Sequence, residues 1–107
     1  MTDFNDRERA EEAKFAHDEE MQFRIVARRN RLLGGWAADK MGLSAVEAEA
    51  YAKAVVQADF EEAGDEDVIR KLLGDLVSAG VEVSEADIRA ALDAKSVEAR
   101  RALMGEA

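Results

Sequence analysis

Apolar residues recur at helical spacing along most of this chain. The clearest run has apolar side chains at i, i+1, i+4, i+5, i+8 and i+9, which is one face of a short buried helix: Val68, Ile69, Leu72, Leu73, Leu76 and Val77. A second such face follows nearer the C-terminus, at Ile88, Ala91, Leu92, Ala99 and Leu103. An alanine-rich stretch before both permits close approach between helices, and its larger members are Val46, Tyr51, Val55, Val56 and Phe60. The pattern predicts helices rather than strands.

Turn and capping signals divide the chain into four predicted helices. The first runs from about Asn5 to Met41 and is closed by Gly42. Ser44 and Glu47 form a capping box that opens the second helix, because the serine and the glutamate satisfy two otherwise unpaired amides. Short connections between helices favour antiparallel neighbours. The predicted fold class is therefore all-α, with a four-helix bundle-like body.

The later helix boundaries carry signals of the same kind. The second helix is expected to end just before Gly64, which suits the left-handed position that follows a helix. Asp65 is expected to cap the third helix, and Gly80 to end it. Ser84 and Asp87 then open the fourth helix in the same way as the first capping box.

The first predicted helix has two parts that differ in composition. Residues 1–20 hold only Phe4 and Phe15 as large apolar groups, whereas residues 21–41 have enough apolar side chains to bury. Covering two phenylalanines contributes about 3–6 kcal/mol, and ordering about twenty residues costs several times more. We therefore expect an N-terminal arm, residues 1–20, that is mobile or conditionally helical when free. Residues 21–107 are expected to form the helical bundle body.

Charge is distributed as unevenly as the apolar residues. The net charge of −9 divides into −5 in residues 1–20, +4 in residues 21–31 and −8 in residues 32–107. The positive block consists of Arg24, Arg28, Arg29 and Arg31, in which the first two repel one another at i,i+4. Two interpretations stay open. Either the domain's own acids neutralise these arginines, or Arg28, Arg29 and Arg31, with Trp36, form a site for an anion, a nucleotide or an acidic partner.

Composition excludes several classes of function. The excess of 24 acidic over 15 basic residues repels phosphates and argues against a nucleic-acid partner. Absence of cysteine excludes disulfide scaffolds, zinc fingers and thiol catalysis. The one histidine, His17, lies in the arm, where neither a catalytic triad nor a metal site is expected. We expect no enzymatic activity, no cofactor and no direct membrane insertion, and a cytoplasmic location.

Two adjacent glycines stand in the first predicted helix, beside the chain's one tryptophan. Gly34 and Gly35 lack the Gly-Lys-Ser/Thr of a phosphate-binding loop. Inside a helix each glycine costs about 1 kcal/mol, which indicates a kink, a close contact or a hinge. Trp36 is expected in the core, with a stacking surface for a ligand as the alternative.

Three blocks of sequence point to a known family: DRERAEEAKFAHDEEMQF, ARRNRLLGGWAADKMGL and EAYAKAVVQADFEEAGDEDVIRKLL. Together they resemble the zeta regulatory subunit, an ATPase inhibitor of alphaproteobacterial F-type ATP synthases, from Phe4 to about Lys95. The resemblance implies a small four-helix protein that binds the catalytic head of the synthase. Its N-terminal helix would enter between catalytic and rotor subunits and block rotation in the hydrolytic direction while permitting synthesis. The protein would be peripheral to the inner membrane through the synthase, and we expect a monomer when it is free.

Carried over residue by residue, the resemblance assigns inhibition to residues 1–19. The partner-binding positions are then Phe4, Arg7, Glu8, Phe15, His17 and Asp18. Phe4, Phe15, Val26 and Ala37 recur every 11 residues, close to three helical turns, so a continuous helix presents both phenylalanines on one side. The chain departs from the family pattern at Glu11, where a large apolar residue is expected, and at Gly35, where leucine is usual.

Two other functions compete with inhibition. The first is a nucleotide- or anion-sensing helical regulatory module that uses the region of Arg28, Arg29, Arg31 and Trp36. The second is a helical adaptor for a different protein partner. A nucleotide that biased release of the arm would make the sensing and inhibitory functions compatible.

Overall fold

The computed structural model describes residues 2–61 and 65–105, with side chains for residues 19–58 and 65–105. Four α-helices make up this part of the chain: α1 (Thr2–Lys40), α2 (Ala45–Glu61), α3 (Glu66–Ser78) and α4 (Glu85–Gly105). No strand occurs in these two ranges, and the all-α fold class is confirmed. The first helix begins earlier than predicted, at Thr2 rather than Asn5.

The core lies where α2, α3 and α4 pack against the second half of α1. Its largest fully buried apolar side chains come from all four helices: Leu33, Leu72, Leu76, Ile88, Val55 and Val68. The predicted apolar faces of α3 and α4 are confirmed, since Ile69, Leu92 and Ala99 are buried as well. Val77, at the edge of the α3 face, is 59% exposed instead. Burial of this helical stripe is the main source of stability for so short a helix.

Both predicted capping boxes are present. The Ser44 amide donates to Glu47 Oε1 at 3.0 Å, and the Glu47 amide donates to Ser44 Oγ at 3.2 Å. Hydrogen bonds from Ser44, through its backbone and then its side chain, lower the pKa of the Glu47 carboxyl. The same reciprocal pair joins Ser84 and Asp87, at 3.0 and 3.1 Å. Each box satisfies amides that the first turn of a helix leaves unpaired.

The predicted cap at Asp65 is wrong in its chemistry, although Asp65 does occupy the N-cap position of α3. Its backbone is helical, with φ −78° and ψ −16°, and its side chain makes no capping hydrogen bond. The carboxylate instead binds Arg29 of α1, with 3.0 Å between Oδ1 and Nη1. Gly42 and Gly80 have positive φ of 70° and 78°, as residues that end helices often do. Gly64 lies outside the described residues.

Side-chain contacts tie α3 to its neighbours on two sides. The Tyr51 hydroxyl of α2 donates to Asp75 Oδ2 of α3 at 2.7 Å, and burial, then this carboxylate, raises the pKa of Tyr51. On the other side, Arg89 Nη2 of α4 donates to both carboxylate oxygens of Glu66 at 2.9 Å and to Glu85 at 2.8 Å. These hydrogen bonds, first from Glu85 and then from Glu66, raise the pKa of Arg89.

The helix α1 is longer than the helices that pack against it. Hydrogen bonds from Ser84, and the nearby charge of Lys40, lower the pKa of the Asp87 carboxyl, so the start of α4 lies beside the end of α1. At about 1.5 Å per residue, antiparallel α4 reaches Gly105 at about the level of residue 22 of α1. By the same count α2, whose Ala52 faces Gly34, ends at about the level of residue 25.

Residues 2–20 of α1 therefore extend past the ends of both α2 and α4. The longest dimension of the molecule is 66 Å, against 25 and 21 Å across it. That the arm is ordered only against a partner stays a prediction. Within the described ranges, no helix is both long enough and apolar enough to span a membrane.

Candidate functional site

The six arm residues singled out by the sequence all lie in the N-terminal half of one helix. The backbone of α1 is helical from Thr2 onward, so these six positions follow one uninterrupted helical repeat. Their side chains lie outside the described residues, and so does the side chain of Glu11. The partner contacts of Phe4, Arg7, Glu8, Phe15, His17 and Asp18 therefore stay predictions.

Two of the four arginines in the positive block line one cavity. Arg28 and Arg31, together with Gly35, stand at i, i+3 and i+7 on α1, the spacing of one helix face. With Leu32 and three residues of α2 they line an open cavity of about 450 Å³. Small and apolar groups of both helices also line it, including Leu32 and Ala52. The arrangement offers a concave surface that two positively charged side chains help to line.

An acidic residue of α2 shares this cavity. Glu49 lines it, and its Oε1 lies 3.9 Å from Arg31 Nη2 and 4.0 Å from Lys53 Nζ. The side chains of Arg31 and Glu49 are 64% and 60% exposed, so solvent screens their attraction. Glu49 offsets part of the positive charge that an anion would meet. It has no signal in the sequence, because its place opposite Arg31 depends on how α2 packs on α1.

Arg29 points to a different side of α1 and is buried. Its Nε and Nη2 atoms donate to Asn30 Oδ1 at 3.0 and 2.8 Å, and its Nη1 atom binds Asp65 at 3.0 Å. Asn30 is fully buried, and its Nδ2 has no hydrogen-bond partner in the described part of the chain. Because Asp65 begins α3, this guanidinium fastens the start of α3 to α1. Arg29 does not line the cavity of Arg28 and Arg31.

Trp36 packs against the hydrophobic core and is partly buried, as expected for a core residue. The ammonium of Lys40, one turn later, lies 5.1 Å from the centre of its ring, within the range of a cation–π contact. Trp36 is not among the side chains that line the cavity of Arg28 and Arg31. The four residues predicted to form one anion site therefore divide among three surroundings.

Acidic side chains of the chain itself lie beside Arg24, Arg29 and Arg31. Arg24 Nη2 lies 2.9 Å from Glu20 Oε1, Arg29 binds Asp65, and Arg31 lies near Glu49. Of the two interpretations drawn from the sequence, the one based on the domain's own acids thus describes these three contacts. A site for an anion stays a prediction for the cavity.

Gly34 marks a close contact between helices, one of the three interpretations of the glycine pair. A Cβ at this position would lie 2.8 Å from Ala52 Cα and 3.2 Å from Val55 Cγ2. A Cβ on Gly35 would meet nothing within 4 Å. The helix α1 continues through both glycines to Lys40. The alanine-rich composition of α2 was a correct sign of close approach.

The described residues contain no group of three or more histidine, aspartate or glutamate side chains that could hold a metal ion. The structure offers helix surfaces, a cavity lined in part by arginines and a long projecting helix. Such surfaces bind other molecules through shape and charge.

The chain is similar to known proteins in sequence and in fold. A model of the family described as ATPase inhibitor subunit zeta matches residues 1–102. A protein whose structure was solved by solution NMR is 50% identical to this chain, with a TM-score of 0.71. That match covers 81% of this chain and 99% of the other. A search of curated proteins gave no match. Since the family match spans nearly the whole length, this chain belongs to the family of ATPase inhibitor zeta subunits.

Proposed function

We propose that this protein inhibits ATP hydrolysis by an F-type ATP synthase through insertion of residues 1–19 between catalytic and rotor subunits. Residues 21–107 are the body that docks on the catalytic head. The observation that carries this proposal is the single helix from Thr2 to Lys40, whose first half extends past the body. The protein would then lie in the cytoplasm, peripheral to the inner membrane through the synthase, and be a monomer when free.

A continuous helix lowers the free-energy cost of ordering the arm during insertion. Starting a helix in isolation is unfavourable, whereas adding residues to an existing helix is nearly neutral. The arm adds its residues to a helix that the body already holds, and residues 1–20 contain neither proline nor glycine. Residues 2–20 span about 28 Å as a helix of about 10–12 Å diameter. These dimensions suit a cleft between two subunits.

Blocking rotation needs an object that does not bend. A helix anchored in a folded body transmits load along its backbone hydrogen bonds, and the 11-residue spacing places Phe4 and Phe15 on one side for apolar contact. Rotation that drives this helix further into the cleft is stopped, and rotation that pushes it out is not. Inhibition of hydrolysis without inhibition of synthesis follows from this asymmetry.

The test is ATP hydrolysis by the matching synthase with full-length and truncated protein. Deleting residues 1–19 should abolish inhibition, while circular dichroism shows that the helical body remains folded. Phe15→Ala should weaken inhibition about tenfold to a hundredfold, because a buried phenylalanine contributes about 1.5–3 kcal/mol. The matched control is Val46→Ala, at an 80% exposed position of α2. Full inhibition by the truncated protein would refute the insertion mechanism.

Glu11 allows a test in the opposite direction. It stands where the family pattern has a large apolar residue, so Glu11→Phe should strengthen inhibition by about tenfold to a hundredfold if this position is buried at the interface. The measurement is the concentration for half-inhibition of hydrolysis. Unchanged or weaker inhibition would place residue 11 outside the apolar contact.

A second candidate function rests on the cavity that Arg28 and Arg31 help to line. Its two guanidinium groups and the apolar part of its lining favour a nucleotide or a similar anion, although Glu49 lies near Arg31 and offsets part of the positive charge. Titration with ATP and ADP should shift the amide resonances of residues 28–35 and not those of α3. Arg31→Gln should weaken that response, with Arg70→Gln as the control for an exposed arginine on α3. No shifts at millimolar nucleotide would reject the sensing function.

A further inference from the structure

The last turns of α4 carry an exposed surface that the inhibitory arm does not account for. Val97, Arg100, Arg101 and Met104 stand at i, i+3, i+4 and i+7, which is one face of a helix. Val97 is 51% exposed and Met104 is 65% exposed, although both are apolar. Together with Gly105, these four residues line an open cavity of about 470 Å³. We call Val97, Arg100, Arg101 and Met104 the α4 patch.

The two arginines of the α4 patch differ from five other arginines whose side chains the structure describes. In the described part of the chain neither Arg100 nor Arg101 has a carboxylate within 4.0 Å, despite the 24 acidic residues of the sequence. Five other arginines each have such a partner: Arg24, Arg29, Arg31, Arg70 and Arg89. The patch therefore combines apolar area with two positive charges that no carboxylate of the described residues neutralises.

The position of the patch relates it to the arm. By the antiparallel register, Met104 lies at about the level of Phe23 on α1, where α1 leaves the body. Phe23 is itself 55% exposed. A partner that received the arm would meet this end of the body first. The α4 patch thus lies beside the place where the arm would enter the synthase.

We infer that the α4 patch is the surface by which the body docks on an acidic amphipathic helix of the synthase. Apolar anchors at i and i+7, with charges between them, are the pattern of a helix that packs against another helix. Two arginines select carboxylates at the rim of such a contact and raise the rate of association. This inference rests on the proposed function, because it names the surface that holds the body while the arm inserts.

Two other occupants fit the patch less well. A two-fold contact with a second copy would place Arg100 and Arg101 against the same arginines, and like charges repel. An anionic membrane would face a whole side of the protein, whose net charge of −9 it would repel. A single helix would meet only the charges of the protein that lie within a Debye length of about 8 Å. The charges of the patch therefore favour one acidic helix.

The experiment uses the full chain and the purified synthase. Arg100→Glu with Arg101→Glu should weaken binding at least tenfold, measured by biolayer interferometry, and raise the concentration for half-inhibition equally. The control is Lys53→Glu with Arg70→Glu, which changes the net charge by the same amount at side chains that are 72% and 77% exposed on α2 and α3. Added salt should weaken binding of the wild-type protein more than binding of the Arg100/Arg101 variant.

A photo-crosslinker at position 97 identifies the occupant. It should attach to a helical segment of a synthase subunit with net negative charge, and a crosslinker at position 46 should not. Crosslinking to a basic segment, or equal binding of the wild-type protein and the Arg100/Arg101 variant, overturns the inference. Self-association in sedimentation that the Arg100/Arg101 variant abolishes, or equivalent loss of binding to phosphatidylglycerol vesicles, also overturns it.

Failure of this inference and failure of the proposed function are distinguishable. If the wild-type protein inhibits hydrolysis and the Arg100/Arg101 variant inhibits at the same concentration, the docking surface is elsewhere and the inhibitory function stands. If the wild-type protein binds the synthase without inhibiting it, the inhibitory function fails, and the variants still decide the docking surface by binding. If the wild-type protein does not bind, both are refuted.

Discussion

Replacing Gly34 by alanine tests how closely α1 and α2 are packed. The added methyl group would lie 2.8 Å from Ala52 Cα, a distance that real Cβ atoms do not tolerate, and 3.2 Å from Val55 Cγ2. The nearer atom belongs to the backbone of α2, so the conflict is relieved only if the two helices move apart. Overpacking of this kind costs about 1–3 kcal/mol.

Gly35 provides the matched control for this experiment. Alanine is a better helix former than glycine by about 1 kcal/mol, and this gain applies at both positions. At Gly35 nothing lies within 4 Å of the added methyl group, so Gly35→Ala should show the gain alone. Gly34→Ala should show the gain minus the steric cost. The difference between the two variants isolates the steric cost, about 1–3 kcal/mol.

Urea unfolding of both variants measures this difference. The urea concentration at the midpoint should be higher for Gly35→Ala than for the wild-type protein. The midpoint of Gly34→Ala should be lower than that of Gly35→Ala, and the free energy of unfolding should depend on urea with the same slope in both variants. In a thermal scan each kcal/mol corresponds to about 4–8 °C for a domain of this size. Equal stability of the two variants would show that the helices are not in contact at Gly34.

Three further predictions concern polar contacts of the body. Asp65→Asn should destabilise the fold by about 1–2 kcal/mol in urea unfolding, because buried Arg29 loses the charge of the Asp65 carboxylate, whose 51% exposure limits the effect. Tyr51→Phe should lower the free energy of unfolding by about 0.5–1.5 kcal/mol, because the hydrogen bond to Asp75 is lost. Since the raised pKa of Tyr51 lies above its ordinary value of 10.0, wild-type stability should fall as pH rises above about 10, and Tyr51→Phe should lack that fall. The lowered pKa of Glu47 predicts stability that is present above about pH 4.5 and lost as pH falls through the folded value, a loss that thermal scans of Glu47→Gln should not show.

Local features of the sequence predicted the helices and most of their ends. The capping box of Ser44 and Glu47 depends on residues three apart, so its chemistry is complete within the local sequence. The cap expected at Asp65 was wrong for the opposite reason. Arg29, 36 positions earlier, attracts that carboxylate, and only the packing of α3 against α1 brings the two together.

The arginine block shows what sequence proximity leaves out. Successive residues of a helix are rotated by about 100°, so Arg28 and Arg29 face different surroundings although they are neighbours in the chain. Spacing alone groups Arg28 with Arg31 and Gly35, and that signal was available. Glu49 could not be assigned to the cavity, because α2 contributes it. The α4 patch has a sequence signal too, since Val97 and Met104 fall outside the spacing of Ile88, Leu92 and Ala99.

Because α1 is continuous, the number of residues between arm and body determines the direction in which the arm's side chains face. Each residue inserted between arm and body would turn the arm by about 100° around the helix axis and move it outward by about 1.5 Å. Seven residues, nearly two full turns, would restore the original face while extending the arm by about 10 Å. Reach and orientation can therefore be altered separately by insertions of different length, without changing a single side chain of the arm or of the body.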